Sequence, residues 1–216
     1  MGRIRAGAVR KEITPPVGVD LFGYILRFGS SRGVHDPLWA HFLWVEDGKN
    51  KVLLISLDIL YMSPEFSFQV REAVSRELRI QRENILIACT HTHSAPGIHI
   101  FRNGGERNRE WENSVFQILV QGAAESAQRV KNASFGVGTG FVVIGKNRRK
   151  EGGPVDSHFP LVCFKDERNI PLALIASYGC HPVVLDEENL LVFIHKFGHG
   201  CVYPASQLAA FLLVET

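Results

Sequence analysis

Two histidines separated by one threonine sit in the segment Ala88-Cys89-Thr90-His91-Thr92-His93-Ser94-Ala95-Pro96-Gly97, directly after the apolar run Ile85-Leu86-Ile87. An imidazole can ligate a metal, carry a proton near neutral pH or bind a substrate oxygen. In extended backbone, residues two apart point to the same side, so this spacing predicts that His91 and His93 present both rings to one spot at the end of a strand. Pro96 ends ladder pairing and Gly97 permits a sharp turn, which places an open loop there. A bare His-x-His is read about equally well as two surface histidines, so other segments have to agree with it.

Several do carry chemistry of their own. Tyr178-Gly179-Cys180-His181-Pro182-Val183 is a second strand-to-loop transition with a histidine, and two strand ends can bring two imidazoles to one metal. Alone, His181 would read as a packed core histidine. His35 in Gly33-Val34-His35-Asp36-Pro37 can line a site or serve as a hydrogen-bonded loop histidine. Asp58, at the end of Val52-Leu53-Leu54-Ile55-Ser56-Leu57, suits a supporting or turn-capping role better than direct catalysis. Arg102, Arg107 and Arg109 form a positive cluster, read first as a solvated face and second as a contact for an anion. Gly136-Val137-Gly138-Thr139-Gly140 lacks both the lysine and the strand-then-helix setting of a phosphate loop, which excludes a nucleotide reading.

The elements that must position these groups follow from periodicity and turn residues. A first strand runs over 3–13 and ends at Thr14-Pro15-Pro16; the glycine-rich stretch 17–37 lacks sustained periodicity, as functional loops of that length do. Strands at 38–45 and 51–59 flank the turn Glu46-Asp47-Gly48-Lys49-Asn50 and form a hairpin. Phe66, Val70, Val74 and Leu78 recur at fourfold spacing, with Ser63 as N-cap and Pro64 at the first helical position. A strand at 84–88 then delivers the histidine pair, and strand-helix-strand order implies a partly parallel sheet with a covering helix. A second helix spans about 109–130, with Val115, Ile118, Leu119, Gly122 and Ala123 on one face. Strands follow at 134–144, 159–165 and 171–178, the last two joined by Asp166-Glu167-Arg168-Asn169.

Composition sets the class. The 216-residue chain carries 24 Lys+Arg against 22 Asp+Glu, a formal charge of +2, which gives no footprint for nucleic acid or a polybasic membrane patch. Cys89, Cys163, Cys180 and Cys201 show no Cys-x-x-Cys pairing and read as reduced, mostly buried thiols. The N-terminus has no apolar leader segment and no eighteen-residue apolar run occurs, so no transmembrane segment and a cytoplasmic location are expected.

The string Thr90-His91-Thr92-His93-Ser94-Ala95-Pro96-Gly97 closely resembles the Thr-His-Thr-His-Ser-Gly-Pro-Gly segment of the neutral/alkaline non-lysosomal ceramidase family, with Ala95 where many members have glycine. Supporting likenesses are Ile13-Thr14-Pro15, Gly33-Val34-His35-Asp36-Pro37-Leu38, Asn147-Arg148, His181-Pro182 and Asn189-Leu190-Leu191. The resemblance implies a zinc-dependent amidohydrolase in which His91 and His181 hold Zn2+, while His93 and Arg148 act in catalysis; Arg149 is an alternative for the arginine. It also implies a small-molecule or lipid-like amide substrate, ceramide or another amide. The expected fold class is α/β: mixed, partly parallel sheet layers with covering helices, a single domain like the N-terminal part of the ceramidase catalytic domain. That domain is expected over 1–192. Residues 193–216, where the likeness stops, read as a divergent tail left by truncation or frameshift. A catalytic zinc normally has three protein ligands, and His93, His195, His199 or Asp58 are the candidates for the third. The alternatives are a catalytically incomplete metal-binding or structural fragment, and a different zinc hydrolase sharing the two histidine loops. Oligomeric state is left open.

Overall fold

The computed structural model describes residues 4–99, 106–183 and 185–193. Along the chain lie β1 (Arg5–Glu12), β2 (Gly33–Val34), β3 (Trp39–Glu46), β4 (Lys51–Leu57), helix α1 (Pro64–Leu78), β5 (Ile85–Cys89), helix α2 (Arg109–Gln128), β6 (Lys131–Phe141), β7 (His158–Asp166), β8 (Pro171–Ala176) and β9 (Leu191–Val192).

Local chemistry accounts for the boundaries. Asp47 closes the β3–β4 hairpin by accepting from the backbone N–H groups of Lys49 and Asn50 at 2.9 and 2.7 Å. Ser63 Oγ accepts from Phe66 N at 3.1 Å to cap α1, Pro64 needs no partner for its missing N–H, and Arg79 ends the helix at φ 50°. Asn108 caps α2 through Trp111 N at 2.9 Å. Both helices bury one stripe, Phe66, Val70 and Val74 on α1 and Val115, Leu119 and Ala123 on α2, each large side chain contributing about 1.5–3 kcal/mol when fully buried. Gly122 lets α2 approach β3 closely, since a Cβ there would overlap the Phe42 ring.

The sheet order is β5-β4-β3-β1-β6-β7-β8. β4 and β5 are parallel, with α1 in the crossover, and the other neighbours are antiparallel. β1 meets β6 only through Arg5↔Asn132 and Ala6↔Lys131, so the later strands are free to leave the first sheet. Alternation along β3 shows where they go. Phe42 and Trp44 pack with the helices, whereas Leu43 joins Ala6, Phe164, Leu172 and Ala173 in a second core. The result is three layers: helices, a mixed sheet, and an outer antiparallel sheet folded across its other face. This is the α/β fold of partly parallel sheet layers with covering helices that the order of signals implies.

Differences from the sequence reading are small. β6 starts at Lys131 and α2 stops at Gln128, so the helix is two residues shorter than expected. β9 pairs in parallel with β2 over two residues each, too short for any periodic signal. Cys89, Cys163 and Cys180 form no disulfide and are, as whole residues, partly rather than fully buried, while burial pushes the Cys89 thiol up to about 12. No helix among the described residues is long and apolar enough to cross a membrane. The expected tail from 194 onward, with His195, His199 and Cys201, and the loop position Arg102 lie outside the described residues.

Candidate metal centre

Beyond the last pair of the β4–β5 ladder, the two chains still run together. Thr90 N donates to Leu57 O at 2.9 Å and His91 N to Ile59 O at 3.1 Å. His91 then adopts φ 61°, a left-handed conformation that costs a non-glycine residue about 1–2 kcal/mol. Its Nδ1 lies 2.9 Å from Leu60 O. A carbonyl only accepts, so Nδ1 carries the proton and Nε2 keeps the lone pair.

His93 reaches the same point by another route than the extended-strand argument supposes. The strand ends at Cys89, His91 turns left-handed, and 93–95 fold into a turn, so the two rings converge by bending, with centroids 5.1 Å apart. The turn is pinned from outside. Thr92 Oγ1 donates to Phe193 O at 2.8 Å, Phe193 N to Ser94 O at 3.0 Å, and Asn189 Nδ2 to Ser94 Oγ at 3.1 Å. From the loop 17–37, Arg27 Nη1 donates to His93 O at 2.5 Å and the Tyr24 ring meets the His93 ring edge-on at 5.0 Å. Gly23, at φ +109°, passes so close that a Cβ would overlap the His93 ring.

His181 arrives from the outer sheet, five residues beyond β8. The buried Tyr178 hydroxyl fixes that exit, accepting from Ile144 N and Gly145 N at 3.3 and 3.1 Å and donating to Val142 O at 3.1 Å. β5 and β8 occupy opposite ends of the strand order, and the folding-over of the outer layer is what brings their loops together. His181 Nε2 lies 2.7 Å from His93 Nε2, and its ring stacks on His91 at 5.1 Å. One nitrogen atom from each of His91, His93 and His181 falls within 4.8 Å of the others. Such a contact between two imidazole nitrogens needs a proton or another cation between the lone pairs. Burial, then the neighbouring His91 and Arg148, push His181 down to about 4. Burial also lowers His91, against the opposing bond to Leu60 O. Neutral imidazoles are the form that ligates a metal, so the donor set fits one cation.

The remaining predicted residues separate clearly. Arg148 is exposed but close enough for its charge to act on His181. Asn147 shapes its loop, accepting from Arg149 N and Lys150 N at 3.0 and 3.1 Å and donating to Pro154 O at 3.1 Å. Asp58 is buried and accepts from Trp39 N at 3.1 Å, a structural role at the β3–β4 end. His35 pairs with Asp36 at 3.2 Å and lies against Phe193, and it is not a member of the three-histidine cluster. Arg107 is bound to Glu112 and belongs to an ion pair rather than to a solvated arginine face. Sequence reasoning missed Gly23, Tyr24, Arg27, Tyr178 and Glu112. A carboxylate between Trp111 and Val115 on an otherwise apolar helix face was a signal for the last.

Comparison with known proteins identifies the lineage and the fold. The family profile "Neutral/alkaline non-lysosomal ceramidase, N-terminal" matches residues 5–152. Neutral ceramidase of Drosophila melanogaster is 33% identical over 101 residues, 43% of this chain and 14% of that protein, and the Drosophila pseudoobscura pseudoobscura enzyme matches to the same extent. A solved ceramidase complexed with C2 superposes with a TM-score of 0.75 at 17% identity, over 89% of this chain and 33% of that one. Neutral ceramidase from Pseudomonas aeruginosa gives the same TM-score and identity, with 34% of its chain covered. The chain thus spans about a third of the length of the solved ceramidases it matches. At that identity the structures establish the fold, and the profile, covering more than half of the 216 residues, establishes the lineage: this chain belongs to the neutral/alkaline non-lysosomal ceramidase family.

Proposed function

We propose that this protein is a zinc-dependent amidohydrolase acting on ceramide or another lipid-like amide, with His91 and His181 as zinc ligands. The observation that carries the reading is the convergence of three imidazole nitrogens within 4.8 Å, with the His91 tautomer already fixed by Leu60 O. Bound zinc supplies Lewis acidity toward a carbonyl and brings the pKa of water to about 7. The chain's own groups do the rest. Leu60 O holds His91 with Nε2 presented to the centre, and burial keeps His181 neutral and ready to ligate. Arg148 places positive charge where negative charge develops on the substrate oxygen. His93 stands at the same focus. The family resemblance gives it proton transfer, the 2.7 Å approach to His181 gives it ligation, and one variant decides between the two.

The test is elemental analysis combined with hydrolysis of a short-chain ceramide and a panel of other N-acyl amides. Wild type should hold zinc and turn over at least one amide, and His91→Ala and His181→Ala should lose the metal. His93→Ala that keeps zinc and slows turnover by about 10²–10⁴ marks a proton-transfer or oxyanion group, whereas zinc loss marks a third ligand. Metal bound equally by wild type and His91→Ala overturns the assignment. Zinc without turnover on any amide selects a structural metal centre instead.

A further inference from the structure

We propose that Arg27 is the positioning residue of the metal centre, a clamp that sets the His93 turn and the segment following His181 in one geometry. This rests on the reading of the histidine cluster as a metal site. Arg27 Nη1 donates to His93 O at 2.5 Å and also reaches Phe22 O at 3.4 Å; Nε reaches Glu187 O and Nη2 reaches Asp186 O, both at 3.3 Å. Its guanidinium lies over the Tyr24 ring at 4.7 Å. Tyr24 in turn packs edge-on against the His93 ring and donates its hydroxyl proton to Leu185 O.

One side chain therefore gathers three stretches that are remote in sequence: 22–24, the turn at His93, and 186–187. Two of them flank imidazoles of the cluster. These four acceptors are all backbone carbonyls. Carbonyls from three segments can be matched by the fixed donor directions of its planar fork but not by a lysine ammonium. His91 has a separate anchor at Leu60 O, so loss of the clamp should disturb His93 and His181 relative to a stationary His91. Residues that orient metal ligands from outside the coordination sphere change metal affinity by about 10- to 100-fold when removed.

The experiment compares wild type, Arg27→Ala and Arg27→Lys by zinc affinity, measured in competition with a chelator, and by amide hydrogen exchange of the metal-free proteins. Arg27→Ala should bind zinc about 10- to 100-fold more weakly, and exchange at 92–95 and 185–189 should quicken while β3, β4 and β5 keep their protection. Arg27→Lys should behave like the alanine variant. Methylguanidinium added to Arg27→Ala should restore affinity and protection, and methylammonium should not. Wild-type affinity and exchange in Arg27→Lys, or no change in Arg27→Ala, overturns the proposal. If wild type itself binds no zinc, the metal reading fails, and the exchange pattern with its methylguanidinium rescue still decides whether Arg27 clamps these segments.

Discussion

His91 and His181 reach one point from regions built in different ways. The His91 segment extends a ladder whose members Leu53, Ile55 and Leu57 are at most 1% exposed, packed under two capped helices. The His181 segment leaves an outer sheet whose strand β6 presents Val137 and Phe141 to solvent at 71% and 72% exposure, and its course depends on a few hydrogen bonds such as those of Tyr178. Dense packing resists displacement because every neighbour must move. Hydrogen bonds at a periphery resist it only through their own geometry. Changes in the first region should therefore be read mainly as global stability, and changes in the second mainly as metal affinity.

The largest stability effect should come from Phe42→Ala. Phe42 is fully buried, with Gly122 directly against its ring, and the truncation should cost about 3–5 kcal/mol in urea unfolding. A loss below about 1 kcal/mol would mean that the helix-covered layer is not a densely packed scaffold. Next is Glu112→Gln. Glu112 is buried on α2, where it accepts from Arg107 Nε and from His99 N at 3.1 Å, joining α2 to the end of the histidine loop. Burial alone would raise its pKa, but the bonds from Arg107 and His99 N together with their charges hold it below 4.5. With the folded value the lower one, the unfolded chain takes up the proton first as pH falls. The stabilisation is thus complete above about 4.5 and is lost as pH drops through the folded value. Glu112→Gln should cost about 1–3 kcal/mol at pH 7 and flatten the acid limb. An unchanged pH profile would remove Glu112 from that role.

The same division explains what could be read from the sequence. Elements of the packed region announce themselves: Phe66, Val70 and Val74 recur at helical spacing because they face a core, and Ser63-Pro64 mark a helix start because capping is local. The two histidine loops were legible through their motifs, together with the strand ends that carry them. What escaped detection depends on contacts between distant segments. Arg27 looks like any loop arginine until its acceptors at 93, 186 and 187 are known. The pairing of β2 with β9 and the folding-over of the outer sheet come from tertiary packing that a period of two or 3.6 does not encode. The His-x-His spacing pointed to the right convergence for the wrong backbone reason, since His91 is left-handed and the strand has already ended.

Gly23→Ala probes the boundary between the regions. At φ +109° an alanine pays about 1–2 kcal/mol in backbone strain, and its methyl group would also occupy the space of the His93 ring. Calorimetry should show a modest loss of stability, while affinity for the proposed zinc should fall by about 10- to 100-fold, the scale of changes beside metal ligands. An alanine variant with wild-type zinc affinity would show that His93 can shift freely and does not belong to the coordination set.

Tyr178→Phe should give the smallest change in stability and the sharpest test of the comparison. The hydroxyl accepts two backbone N–H bonds and donates one, all at the exit of β6, while the residue is 3% exposed, so its ring should stay in place in phenylalanine. Ile144 and Gly145 are only partly buried, so water can take over part of the lost bonding, and the net cost should be about 1 kcal/mol. The geometry is harder to replace. The hydroxyl is the bolt between the end of β6, which leads to Arg148, and the end of β8, which leads to His181; without it the two loops lose their common register. Zinc affinity should then fall several-fold more than stability accounts for, with β3, β4 and β5 unaffected in hydrogen exchange. Equal loss of protection in both regions would show that the outer sheet and the helix-covered sheet unfold as one unit, and the contrast drawn between them would not hold.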